Sequence, residues 1–137
     1  MKPIRILSFL FTLALCFNVF AGDRQLTSFD AVLKSLDSGH LVRVVVQYKD
    51  CQLISDNKIQ EHVPDAVGGM TIDTFEYFAP GSVRNEQGFI SASKTILIQH
   101  PTRGMVHNYA KVRIHADGKV QIVARYLKPG TLEVVMD

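Results

Sequence analysis

Cysteine is scarce in this chain, with Cys16 and Cys51 the only two among 137 residues. Cys16 lies inside an N-terminal apolar run, so a domain that begins after that run carries a single thiol and closes no disulfide within itself. An excess of one charge is missing too. There are 15 Lys and Arg against 13 Asp and Glu, and Lys2 and Arg5 precede the apolar run, which leaves 13 against 13 beyond it. A balanced surface lacks the basic cluster that a nucleic-acid or anionic-membrane partner requires. There is no GxSxG elbow and no phosphate-cradling glycine loop; Gly68-Gly69 ends a loop ahead of a strand and reads as turn chemistry. Repeats and low-complexity tracts are absent as well.

Metal ligation is also poorly provided for. His107 and His115 share a strand face, but eight residues of strand separate them by about 26 Å. His100 and His107 flank one loop on opposite parities, so a regular hairpin points them to opposite faces. His40 and His62 have no Cys or His at zinc spacing. No metal and no cofactor are expected.

What is present begins with an export signal. Lys2 and Arg5 give positive charge, Ile6 to Phe20 is apolar, and Val19-Phe20-Ala21 ends the run with small-residue cleavage chemistry. The run is shorter than the roughly 20 apolar residues a spanning helix needs. Residues 1–21 therefore read as a signal peptide cleaved after Ala21, and residues 22–137 as one small domain, periplasmic or secreted, that meets the membrane only during export. A lone Cys51 in an oxidising compartment is a buried thiol, an intermolecular bridge, or half of a disulfide whose partner is elsewhere.

The densest β-forming run is His40 to Ile54, with Val42, Val44, Val46 and Tyr48 on one parity. Before it, Thr27 or Ser28 caps a short helix whose Phe29, Val32, Leu33 and Leu36 form one apolar stripe, and Gly39 stops it. After it, residues 55–69 read as a long loop, and residues 70–78 as a strand whose parity switches between Ile72 and Phe75, which a bulge near Asp73 would reconcile. Residues 89–100 alternate, with Ile90, Ala92, Ile96 and Ile98 on one face, and residues 106–115 do the same. For the turn that follows, a three-residue loop, Ala116-Asp117-Gly118 with Gly118 left-handed, pairs Ile114 with Val120, Val112 with Ile122, Ala110 with Ala124 and Asn108 with Tyr126. Residues 131–136 make a last short strand. The expected fold is mainly β within the α+β class: an antiparallel sandwich or partly closed barrel with one short N-terminal helix.

Three polar residues interrupt the apolar parity, namely Lys94, Asn108 and Tyr126. Converging on one face, they could line a cavity for a small molecule or lipid; otherwise they satisfy one another while Lys94 reaches water. Asp73 and Glu76 could form a carboxylate pair of a glycan-active enzyme, but three residues along a strand put them on opposite faces unless a bulge intervenes. Cys51 could be a nucleophile only if a histidine approached it in space. Tyr109 opposite Arg125 reads as a surface cation–π pair.

The segments FDAVLKSLDSGHLVRVVVQYKDCQL, PDAVGGMTIDTFEYF, ISASKTILI and NYAKVRIHADGKVQIVARYL together resemble the VirK family of small exported bacterial proteins, over Phe29 to Met136. The resemblance implies a periplasmic or secreted protein in a virulence-associated setting. It transfers no catalytic residue. In that family the domain often continues past the position of Asp137 with another cysteine, which bears on whether Cys51 is half of a disulfide. The expectation is a non-enzymatic accessory protein that binds an envelope or host component.

Overall fold

The computed structural model describes residues 24–55 and 57–136. The expected signal, Cys16 and the cleavage position after Ala21 lie outside the described residues. Helix α1 (Phe29–Asp37) starts at Ser28, whose side chain accepts the Ala31 N–H at 3.2 Å, and Asp30 sets a negative charge in the positively polarised first turn. It ends in a Schellman motif. Gly39 N–H bonds the Leu36 carbonyl at 2.9 Å and His40 N–H bonds the Ser35 carbonyl at 3.0 Å, a geometry Gly39 permits with a φ of 75°. The expected stripe faces inward, with Leu36 buried and Phe29, Val32 and Leu33 packed around it.

Strand β1 (Val42–Gln47) is shorter than the 40–54 run predicts. At Tyr48 the chain enters a 3-10 turn (Tyr48–Asp50), with Tyr48 N–H bonded to the Ala66 carbonyl at 3.0 Å. The expected long loop also holds structure. Two-residue strands β2 (Ile54–Ser55) and β3 (Lys58–Ile59) pair around Asn57, which takes a φ of 60°. Strand β4 (Val67–Ile72) then runs antiparallel to β1, pairing Val42 with Ile72 and Val44 with Met70.

Residues 70–78 are not one bulged strand. The chain leaves the β1–β4 ladder at Ile72, bends, and enters a second sheet as β5 (Glu76–Phe78). The parity switch between Ile72 and Phe75 thus marks a change of sheet: Ile72 buries from one layer and Phe75 packs from the connection to the other.

The second sheet is a meander of β5, β6 (Phe89–His100), β7 (Gly104–His115), β8 (Val120–Leu127) and β9 (Val134–Met136). The three-residue turn at 116–118 forms as the face-matching argument requires. Gly118 has a φ of 87°, and Ile114 pairs with Val120, Val112 with Ile122, Ala110 with Ala124 and Asn108 with Tyr126.

Helix α1 and the β1–β4 ladder cover one face of this meander, giving two layers with no closed barrel. Leu36, Val42, Ile72, Ile90, Ala92 and Val112 form the core between them. A fully buried Ile or Val contributes about 1.5–3 kcal/mol. The cover is partial. Ile90 is 1% exposed and Val112 2%, while on the same face Ile96 is 47% exposed and Val120 50%. The opposite face gathers around Phe89, with Phe78 stacked on it at 4.8 Å and Arg113 over its ring at 4.5 Å. Tyr109 and Arg125 do sit opposite each other, but the guanidinium–ring stack among the described residues belongs to Arg113.

Candidate binding site

Among the described residues, two openings lie beside this partial cover. The smaller is a cleft of about 220 Å³ between β4 and the middle of β6 and β7. Its floor is a square of four side chains, because Lys94 pairs with Ala110 and Ile96 with Asn108. Its wall is the consecutive run Gly69, Met70 and Thr71 with Arg43, the cross-strand partner of Thr71. Consecutive residues of one strand line a cavity when the strand presents its edge, since side chains alone would alternate. Ala110 is what makes the floor hollow, with small Ala124 beside it on β8.

Of the three polar residues expected to converge, Lys94 and Asn108 line this cleft. Tyr126 does not. It lies further along the sheet with its ring edge-on to His100 at 5.0 Å between centroids, because register sets it beside Asn108 on the far strand. The Lys94 side chain stays 40% exposed, and its ammonium forms an ion pair with Asp73 at the surface. The pair sets the Asp73 carboxylate beside Lys94. Glu76 stands opposite Ser91, on the other face of the sheet from Lys94.

The larger opening is a groove of about 1230 Å³ between α1, β1 and the β7–β8 hairpin. Here too a consecutive run, Leu41 to Val45, lines it, so β1 turns its free edge into the groove. The lining is mixed: Leu41 is 81% exposed, Val45 60% and Val120 50%, while Arg24, Lys34 and Arg43 add basic groups and no acidic side chain lines it.

Cys51 is exposed and free, its thiol donating to the Gln47 carbonyl at 3.4 Å. It is therefore not a core thiol. No cluster of His, Cys, Asp and Glu suited to a metal occurs among the described residues. His100 contacts Thr102, and His115 shares a hydrogen bond with Gln121 at 3.2 Å. No helix among the described residues is long and apolar enough to cross a membrane.

Sequence reasoning did not single out Arg43, Thr71, Leu41, Val45 or Val120. Apolar residues on both parities of Leu41 to Val46 were the available signal, since a strand buried on one face only should alternate.

Comparison with curated proteins gives no match, and comparison with solved structures gives none. The family model described as VirK protein matches residues 25–132, which takes in the helix, both openings and the meander as far as the turn after β8, and the chain therefore belongs to the VirK family.

Proposed function

We propose that this chain is an exported, non-enzymatic accessory protein, virulence-associated, that binds an envelope or host protein in the groove between β1 and β8. The groove carries the reading. Its volume, about 1230 Å³, exceeds the roughly 300–1,000 Å³ of small-molecule sites. An extended apolar segment suits it better, adding to the free edge of β1 by main-chain hydrogen bonds and sinking alternate side chains against Val42, Val44, Ile114 and Val120. Arg24, Lys34 and Arg43 in the same lining suit a segment that carries an acidic residue beside its apolar ones. Export rests on the signal pattern of residues 1–21, with cleavage after Ala21.

The test is a photo-cross-linking residue placed at Val45 or Val120 in producing cells, with Val123 on the other face of β8 as control. A discrete adduct with one envelope or host protein at the first two positions, absent at Val123, is the expected result. Equal labelling at all three overturns the docking reading. Intact mass of the exported protein, expected to begin at Gly22, tests the signal. Turnover of an envelope glycan that is lost in Asp73→Asn or Glu76→Gln would overturn the non-enzymatic assignment.

A second reading, a small-molecule binder, is favoured by one observation: Lys94 and Asn108 line the smaller cleft together.

A further inference from the structure

We infer that the cleft between β4 and the β6–β7 pair binds a monocarboxylate on a short apolar stem, gripped by Arg43 and Lys94. The inference rests on the small-molecule reading, and Arg43 lines the groove as well as the cleft. The polar groups around the cleft are rich in donors. Arg43 offers a five-donor fork, Lys94 three ammonium protons, Asn108 an amide and Thr71 a hydroxyl. A ligand that answers this set is an acceptor, and a planar carboxylate matches the Arg fork with two parallel bonds.

Charge selects the valence. Lys94 is paired with Asp73, while Arg43 forms no ion pair among the described residues. The cleft and its rim therefore hold two positive charges and one negative, and a single carboxylate brings the total to zero. A phosphate dianion would leave an excess negative charge beside Asp73.

Size and lining select the stem. At about 220 Å³ the cleft falls below the roughly 300 Å³ at which drug-sized sites begin. Ile96, 47% exposed, stands in the floor with Ala110, and Met70 flanks them. A carboxylate on Arg43 would lay two or three methylenes over these residues and remove them from water. The shared chemistry has two sources, a free short-chain acid or a glutamate side chain of a partner.

The experiment is a nitrogen-15 amide titration of the exported chain with butyrate, butanamide, inorganic phosphate and N-acetyl-glutamate N-methylamide. Butyrate is expected to move the Gly69, Thr71 and Ala110 amides saturably. Arg43→Gln is expected to weaken it by about ten-fold or more, the loss of one charge-assisted pair. Lys94→Gln should weaken it as well, while Asp73→Asn should tighten it by removing the competing carboxylate. Tighter binding of the capped glutamate than of butyrate assigns the acid to a partner chain; the reverse assigns it to a free acid. Butanamide binding as tightly as butyrate overturns the carboxylate inference and leaves the small-molecule reading standing. Phosphate binding as tightly overturns the choice of a monoanion. Absence of saturable shifts with all four probes, or binding indifferent to Arg43→Gln in a variant whose spectrum is otherwise intact, overturns the site.

Discussion

The ring of Tyr48 lies over Gly68, filling the space where a β-carbon would stand: a carbon added there would come within 2.7 Å of Tyr48 Cζ and closer still to the hydroxyl oxygen. This contact is where β1 stops. Gly68 pairs with Val46, and two residues on, the ring folds back over the partner strand. Gly68→Ala should therefore destabilise by about 1–3 kcal/mol through overpacking. In a Tyr48→Ala background the same change should be near neutral, because the atoms it collides with are gone. Urea unfolding of the four proteins measures this coupling; additive costs would contradict the contact.

Burial along β6 predicts unequal costs for equal truncations. Ile90 and Ile96 share a face, yet one is 1% exposed and the other 47%. Ile90→Ala should cost about 2–5 kcal/mol and Ile96→Ala under about 1 kcal/mol. Equal costs would mean that the second layer covers the whole face, closing both openings.

The β7–β8 turn carries a pH signature. Asp117 accepts the Lys119 N–H at 3.0 Å, and that bond foremost holds its carboxyl below the ordinary value of 3.8. A depressed folded value means that the charged form's stabilisation is present above the unfolded value and is lost as pH falls through the folded one. Asp117→Asn keeps the acceptor and removes the charge. The difference in urea midpoint between wild type and variant should hold steady near pH 6 and shrink towards about pH 2. A difference that grows on acidification would contradict the sign.

Cys51, exposed at the end of the 3-10 turn, should react with iodoacetamide in the folded protein as completely as in denaturant. Intact mass before and after reduction checks this. Protection that only denaturant relieves would return Cys51 to the interior.

How much of this was legible in the sequence depends on the range of the interactions that decide each part. Helix α1 and the 116–118 turn are local: a cap, a stripe and one left-handed glycine settle them, and the cross-strand register followed from matching faces. The end of β1 was not legible, because the ladder ends at Gln47 where its partner strand begins, at Val67, twenty residues away. The split of 70–78 was misread as a bulge, since a parity switch looks the same whether a strand kinks or changes sheets. At the cleft, Lys94 and Asn108 were found as breaks in an apolar face. Tyr126 broke the same pattern but sits beyond the reach of β4. Arg43 was passed over because a charge on the outward parity of a strand looks like ordinary solvent exposure until an edge brings another sheet beside it.

A cross-linker at Val45 combined with Leu41→Asp or Val120→Asp asks whether a partner docks in the groove between β1 and β8. Both substituted residues are at least half exposed, so the fold should persist, with a change in unfolding free energy within about 0.5 kcal/mol. Loss of the Val45 adduct with folding intact is the expected result. An adduct that survives both charges would show that the partner does not lie in the groove.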